Sequence, residues 1–144
     1  MRFLIVDGHS VIFAWPDLRR QHGQRTGAAR EELIKRLTAY QDSSGVRVVA
    51  VFDGKGLKSN EATEPGGIQI FYSGVGHDAD SLIERLVAKY APDHDITVAT
   101  DDSLERVTVL SFGGSTVSTE MLREMLNDAD RDLGRRLKRY REGR

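Results

Sequence analysis

An α/β domain predicts itself from this chain: three layers, with helices on both faces of a mainly parallel central sheet of about five strands. Three observations carry the prediction. Short continuous apolar runs recur along the chain and end on acids, segments of helical period stand between them, and 144 residues suit one domain spanning 1–144. Strands that alternate with helices need right-handed crossovers, and this covers both faces of the sheet.

The elements follow in order. Phe3 to Val6 is a run suited to a strand buried on both faces, and it closes on Asp7-Gly8. Ala29, Leu33, Leu37 and Tyr40 share a helical face. Val46 to Phe52 is the second strand and closes on Asp53-Gly54. Gly54 to Gly67, with Lys55, Lys58, Asn60, Glu61, Glu64 and Pro65, has no period and is expected to be a long exposed loop. Ile68 to Tyr72 is a weaker strand, and Leu82, Ile83, Leu86, Val87 and Tyr90 fall on one helix face. Ile96 to Ala99 is the fourth strand, closing on Thr100-Asp101-Asp102, and Val107 to Leu110 is expected to be a further weak strand. Gly113-Gly114 is a turn or a phosphate cradle, and Ser118 caps a basic helix running from about 118 to the end, which Gly134 weakens.

Composition excludes several function classes. Without cysteine there is no disulfide framework, thiolate metal site or Cys nucleophile. The longest apolar run, Val48 to Phe52, is far short of a membrane span, so a cytoplasmic protein with no membrane partner is expected. The net charge is −1, but the chain from Arg131 onward carries a net +5, and Arg19, Arg20, Arg25, Arg30, Lys35 and Arg36 form a second basic cluster. Either cluster can follow a phosphate backbone or serve as a solvated helix face.

Ligands of an open parallel sheet bind outside the carboxyl ends of its strands. Asp7, Asp53, Asp101 and Asp102 close strands, and Asp78 and Asp80 open the helix after the third strand. Chain-distant carboxylates brought to one edge either raise one another's pKa or take up a cation, and hard oxygen donors suit Mg²⁺ or Mn²⁺. Such ions serve phosphoryl chemistry. Each acid also has a structural role to weigh: Asp-Gly is a turn dipeptide, Asp78 stands where a helix N-cap would, and one of Asp101 and Asp102 can cap a short helix beginning at Ser103. Asp80 and Glu84, four apart beside the apolar stripe, have only Arg85 as a basic neighbour.

Other chemistries fit less well. The four histidines show no metal-binding spacing; His9 and His77 are expected in rim loops, and His22 and His94 as exposed bystanders. No G-x-x-x-x-G-K-[ST] phosphate-binding loop of the nucleoside-triphosphatase kind is present, so no nucleotide cofactor is expected. Trp15-Pro16 reads as a base-stacking surface or as a packed Trp ending a short helix, and no aromatic platform with recognisable spacing appears.

Val6-Asp7-Gly8-His9-Ser10-Val11-Ile12, Ala29-Arg30-Glu31-Glu32-Leu33, Val51-Phe52-Asp53, Ala79-Asp80-Ser81-Leu82-Ile83-Glu84-Arg85-Leu86-Val87 and Val98-Ala99-Thr100-Asp101-Asp102 resemble, in order, the YacP-like branch of the NYN domains. The resemblance implies a PIN-like α/β/α fold and a metal-dependent endoribonuclease that cleaves single-stranded RNA or mRNA by attack of metal-activated water. It also implies ribosome association, since one member of the branch acts on translated mRNA. Carried over by position, Asp7 and Asp80 are the principal ligands of Mg²⁺ or Mn²⁺, Asp102 is a third, and Asp53 completes the catalytic set; from their places in the chain, Asp78, Asp101 and Glu84 are expected in support. His9, Ser10, Arg19, Arg20, Arg25 and Arg30 are expected to contact RNA. Ser10 stands where the family usually has Asn, and that departure leaves a second expectation open, an RNA- or ribosome-binding module with a degenerate site. A phosphate-sensing receiver domain fits poorly, because it needs a Lys after the fifth strand and Ser111 follows Leu110.

Overall fold

The computed structural model describes residues 1–54, 61–63, 67–74 and 78–142. Its elements are β1 (Arg2–Asp7), α1 (Gly8–Ala14), α2 (Pro16–Gln24), α3 (Thr26–Ser44), β2 (Arg47–Phe52), β3 (Glu61–Thr63), β4 (Gln69–Tyr72), α4 (Ala79–Tyr90), β5 (Asp95–Ala99), α5 (Ser103–Ser111), β6 (Ser115–Val117) and α6 (Thr119–Glu142).

The apolar runs become inner strands because a parallel strand covered on both faces needs apolar side chains on both. The sheet order is β3-β4-β2-β1-β5-β6. All pairings are parallel except that of β3 with β4. Leu4 and Val6 of β1, with Val48, Ala50 and Phe52 of β2, point into a core shared with α1, α2, α3 and α6. The alternate residues Ile5, Val49, Val51, Ile96 and Val98 meet Ala79, Ile83 and Val87 of α4 and Val109 of α5. This period-two alternation separates the two helical layers. The chain leaves β1 toward β2 and β4 and later returns to its other side at β5, so the topological switch point lies between the carboxyl ends of β1 and β5.

Two expectations need correction, and two open alternatives are decided. Val107 to Leu110 is not a strand but lies in α5. The Asp102 side chain accepts the Leu104 and Glu105 amides, and this cap starts a helix that overrides the β-branched run. The sixth strand comes later, at Ser115–Val117. Gly113-Gly114 is no phosphate cradle: both amides donate inward, to the Leu110 and Val109 carbonyls. A Cβ at Gly114 would stand 2.8 Å from Val109 Cγ1, so packing demands glycine there. The expected loop after Gly54 contains β3; Lys55, Lys58, Asn60, Glu64 and Pro65 lie outside the described residues. Trp15 is 2% exposed and donates from Nε1 to the Thr119 carbonyl at 3.1 Å, so it offers no stacking surface. Helix α6 runs through Gly134 without a break.

Candidate active site

The site grows from the carboxyl end of β1. Asp7 is the last residue of that strand and caps α1, which starts at the next residue. Only glycine fits at position 8, because a Cβ there would stand 2.3 Å from Phe52 Cε1 and 3.1 Å from the Val51 carbonyl oxygen. Asp7 is buried and held from three donors. Ser10 Oγ donates at 2.7 Å and Ser10 N at 3.4 Å, while Thr100 Oγ1, fully buried at the end of β5, donates at 3.5 Å. Burial pushes the Asp7 carboxyl above its ordinary value, and the Ser10 hydrogen bonds oppose it.

Asp80 enters from the first turn of α4. Partial burial, then the carboxylates of Asp7, Asp102, Asp78 and Asp53, push its pKa up to about 6. Four acids, from the ends of β1, β2 and β5 and from the start of α4, are thus close enough to act on Asp80. Their other bonds distinguish them. Asp53 accepts the Ala79 amide at 2.7 Å and so fixes the start of α4. Asp78 is the N-cap of that helix, accepting Ser81 N at 2.8 Å. Asp102 caps α5 and is exposed. Asp101 faces elsewhere: it accepts Thr119 N at 2.9 Å and Thr119 Oγ1 at 2.6 Å, which ties the start of α6 to the end of β5.

Glu105 joins this cluster without having been singled out in the sequence. It is 2% exposed, and one of its oxygens, Oε1, has no hydrogen-bond partner among the described residues. Burial, hydrogen-bond contact with Glu84, and the charges of Asp80 and Asp7 hold its carboxyl well above the ordinary carboxylate range. Two carboxyl groups in such contact stay together by sharing a proton or a cation. The spacing Asp102-x-x-Glu105 looks like capping, and Glu105 shares a buried face with Val109 only once the segment is recognised as helical.

The expected substrate contacts divide. Ser10 spends its hydroxyl proton on Asp7. Arg30 packs over Phe52 and Tyr72, 5.4 and 5.5 Å from the ring centroids, and donates to the Asp53 carbonyl at 3.3 Å, so it braces the rim. Arg25 pairs with Glu31 at 2.8 Å on the surface. Arg19, Arg20 and His9 are exposed. His77 lies outside the described residues. His22 and His94 are half-buried rather than exposed: His22 packs on Phe13 and His94 on Phe3, with ring centroids 5.0 and 5.3 Å apart. In α6, Arg131 pairs with Asp128, and Arg135 and Arg136 flank Asp132.

The donor set fits a hard divalent cation. Among the described residues no Lys or Arg pairs with Asp7, Asp80, Glu84 or Glu105, and Glu105 Oε1 is an orphan. No three Asp, Glu or His among the described residues form a ready-made cage. Mg²⁺ does not require one, since it retains several waters and is commonly held by one or two carboxylates. Among the described residues no helix is long and apolar enough to cross a membrane.

Comparison with known proteins gives a consistent result. The family model described as the YacP-like NYN domain matches residues 4–144. The protein YacP of Bacillus subtilis (strain 168) is 30% identical over 143 residues, covering 96% of this chain and 83% of that protein. The crystal structure of Rae1 (YacP) from Bacillus subtilis superposes with a TM-score of 0.83 at 30% identity, covering 99% of this chain and 83% of the other. Its W164L mutant gives 0.82 at 27% identity, covering 96% and 82%.

Proposed function

The chain belongs to the YacP-like NYN domain family, and on that premise we propose that it is a metal-dependent endoribonuclease acting on single-stranded RNA or mRNA in the cytoplasm, in association with the ribosome. The observation that carries this reading is the gathering of carboxylates at the switch point: Asp7 at the end of β1 and Asp80 in the first turn of α4, with Glu84 and the buried Glu105 beside them, none of the four paired with a Lys or Arg among the described residues.

Asp7 and Asp80 would hold Mg²⁺ or Mn²⁺, with Asp102 reaching it directly or through water. A cation bound there would lower the pKa of water and neutralise charge on the scissile phosphate. The chain's own residues supply the positioning. Ser10 and Thr100 fix the Asp7 carboxylate. Asp53 fixes the turn that presents Asp80. Arg30, packed on two rings, keeps that rim rigid. Ser10 therefore supports the catalytic reading over a degenerate binding module: a shorter side chain than the family's Asn still holds the first acid.

End-group analysis of the cleaved RNA tests the reading. Water attack in line leaves 5′-phosphate and 3′-hydroxyl ends; 2′,3′-cyclic phosphate would show that the RNA 2′-hydroxyl is the nucleophile and overturn it.

A further inference from the structure

Beside the acid cluster, three rings stand in a row across α1 and α2. The His9 and Phe13 centroids are 4.5 Å apart with planes inclined by 41°, and those of Phe13 and His22 are 5.0 Å apart and inclined by 66°. The row starts at the site, because His9 stands two residues after Asp7, in the first turn of the helix that Asp7 caps. Phe13 is 42% exposed, although the same helices bury Val11, Ile12 and Leu18. Phe13 also lines a shallow groove of about 410 Å³ together with Ala14, Pro16, Arg19 and Arg20. The Nδ1 atom of His22 is enclosed and has no hydrogen-bond partner among the described residues.

An exposed ring between two imidazoles, with two arginines alongside and no acid among the groove's lining residues, suits a ligand with flat π-faces and negative charge. A second copy of this chain does not suit it, since a two-fold contact would set Arg19 and Arg20 against themselves. We propose that His9, Phe13 and His22 form a stacking platform for unpaired bases of single-stranded RNA, with Arg19 and Arg20 on the adjacent phosphates and the strand continuing toward Asp7. The identity of the strand as RNA rests on the nuclease reading; the preference for unpaired bases does not, because bases within a duplex have both faces covered.

The test uses the full chain in the Asp80→Asn background, so that RNA is not consumed, and a single-stranded RNA carrying 2-aminopurine, whose fluorescence is quenched by stacking. Phe13→Ala is expected to weaken binding by about 5- to 150-fold and to abolish the protein-induced quench. Phe13→Tyr keeps a ring and is expected to retain both, with thermal melts confirming that each variant is folded. Equal affinity and quench in Phe13→Ala overturn the platform, whatever the intact protein cleaves. A quench that depends on Phe13, in a protein whose Asp80 form never cuts RNA with Mg²⁺ or Mn²⁺, keeps the platform and overturns the nuclease reading. Absence of RNA binding overturns both.

Discussion

Replacing Asp80 with Asn should stabilise the metal-free protein, and the size of the gain follows from the site. The Asp80 carboxyl moves from 3.8 to about 6 because it is partly buried and faces other acids. A native pKa above the unfolded value means that the folded chain binds the proton more tightly. Stability therefore falls as pH rises between about 3.8 and about 6, and the ionised carboxylate remains a burden above that range. About two pKa units at about 1.36 kcal/mol each set a ceiling of roughly 3 kcal/mol. Solvent around this partly exposed group reduces the figure to about 1–2 kcal/mol. For a domain of this size that is roughly 3–6 °C in Tm. Asn keeps the shape and removes the charge, so Asp80→Asn should melt about 3–6 °C above the parent in EDTA at pH 7.5, with the difference closing near pH 4. Millimolar Mg²⁺ should raise the parent toward the variant and move the variant less. A variant that melts at or below the parent at pH 7.5, or a gap that is the same at both pH values, would refute the reasoning.

Further outcomes follow from other contacts. Gly8→Ala forces the Phe52 ring aside, 2.3 Å from the new Cβ, and should lower stability by about 1–3 kcal/mol in urea unfolding. Asp101→Ala unties α6 by removing the acceptor of Thr119 N and Oγ1; it should lose about 0.5–2 kcal/mol and speed amide exchange in the first turns of α6. Ser10→Ala removes the hydroxyl donor that holds Asp7 down, so the acid limb of the cleavage profile should move to higher pH, while Ser10→Thr should keep it in place. Glu105→Gln relieves the contact between two acids and should retain or raise Tm in EDTA, read by calorimetry.

The sheet was legible in the sequence because both faces of its inner strands are covered, which makes Phe3 to Val6, Val46 to Phe52 and Ile96 to Ala99 stand out as unbroken apolar runs. The strand-end acids were legible for the same reason, since each run ends on one. Residues whose placement depends on a tertiary choice were hidden. Val107 to Leu110 reads equally as strand or helix, and only the Asp102 cap decides it. With that segment taken as a strand, Glu105 could not be seen on the buried face it shares with Val109. Asp78, Asp101 and Asp102 look alike in the chain, yet one caps α4, one anchors α6 and one caps α5. The aromatic row was invisible because it joins His9 and Phe13, four apart on one short helix, to His22 on the next.

The central claim is that the carboxylates gathered around Asp80 serve a cation-dependent cleavage of RNA. Cleavage of a labelled single-stranded RNA, and of mRNA on translating ribosomes, should be measured with Mg²⁺ or Mn²⁺ against EDTA for the parent and for Asp80→Asn. Cutting by the parent that needs the metal and disappears in the folded variant is the predicted result. Binding of RNA or ribosomes by both proteins, with cutting by neither under any metal, would contradict the account and leave the acids as caps and anchors.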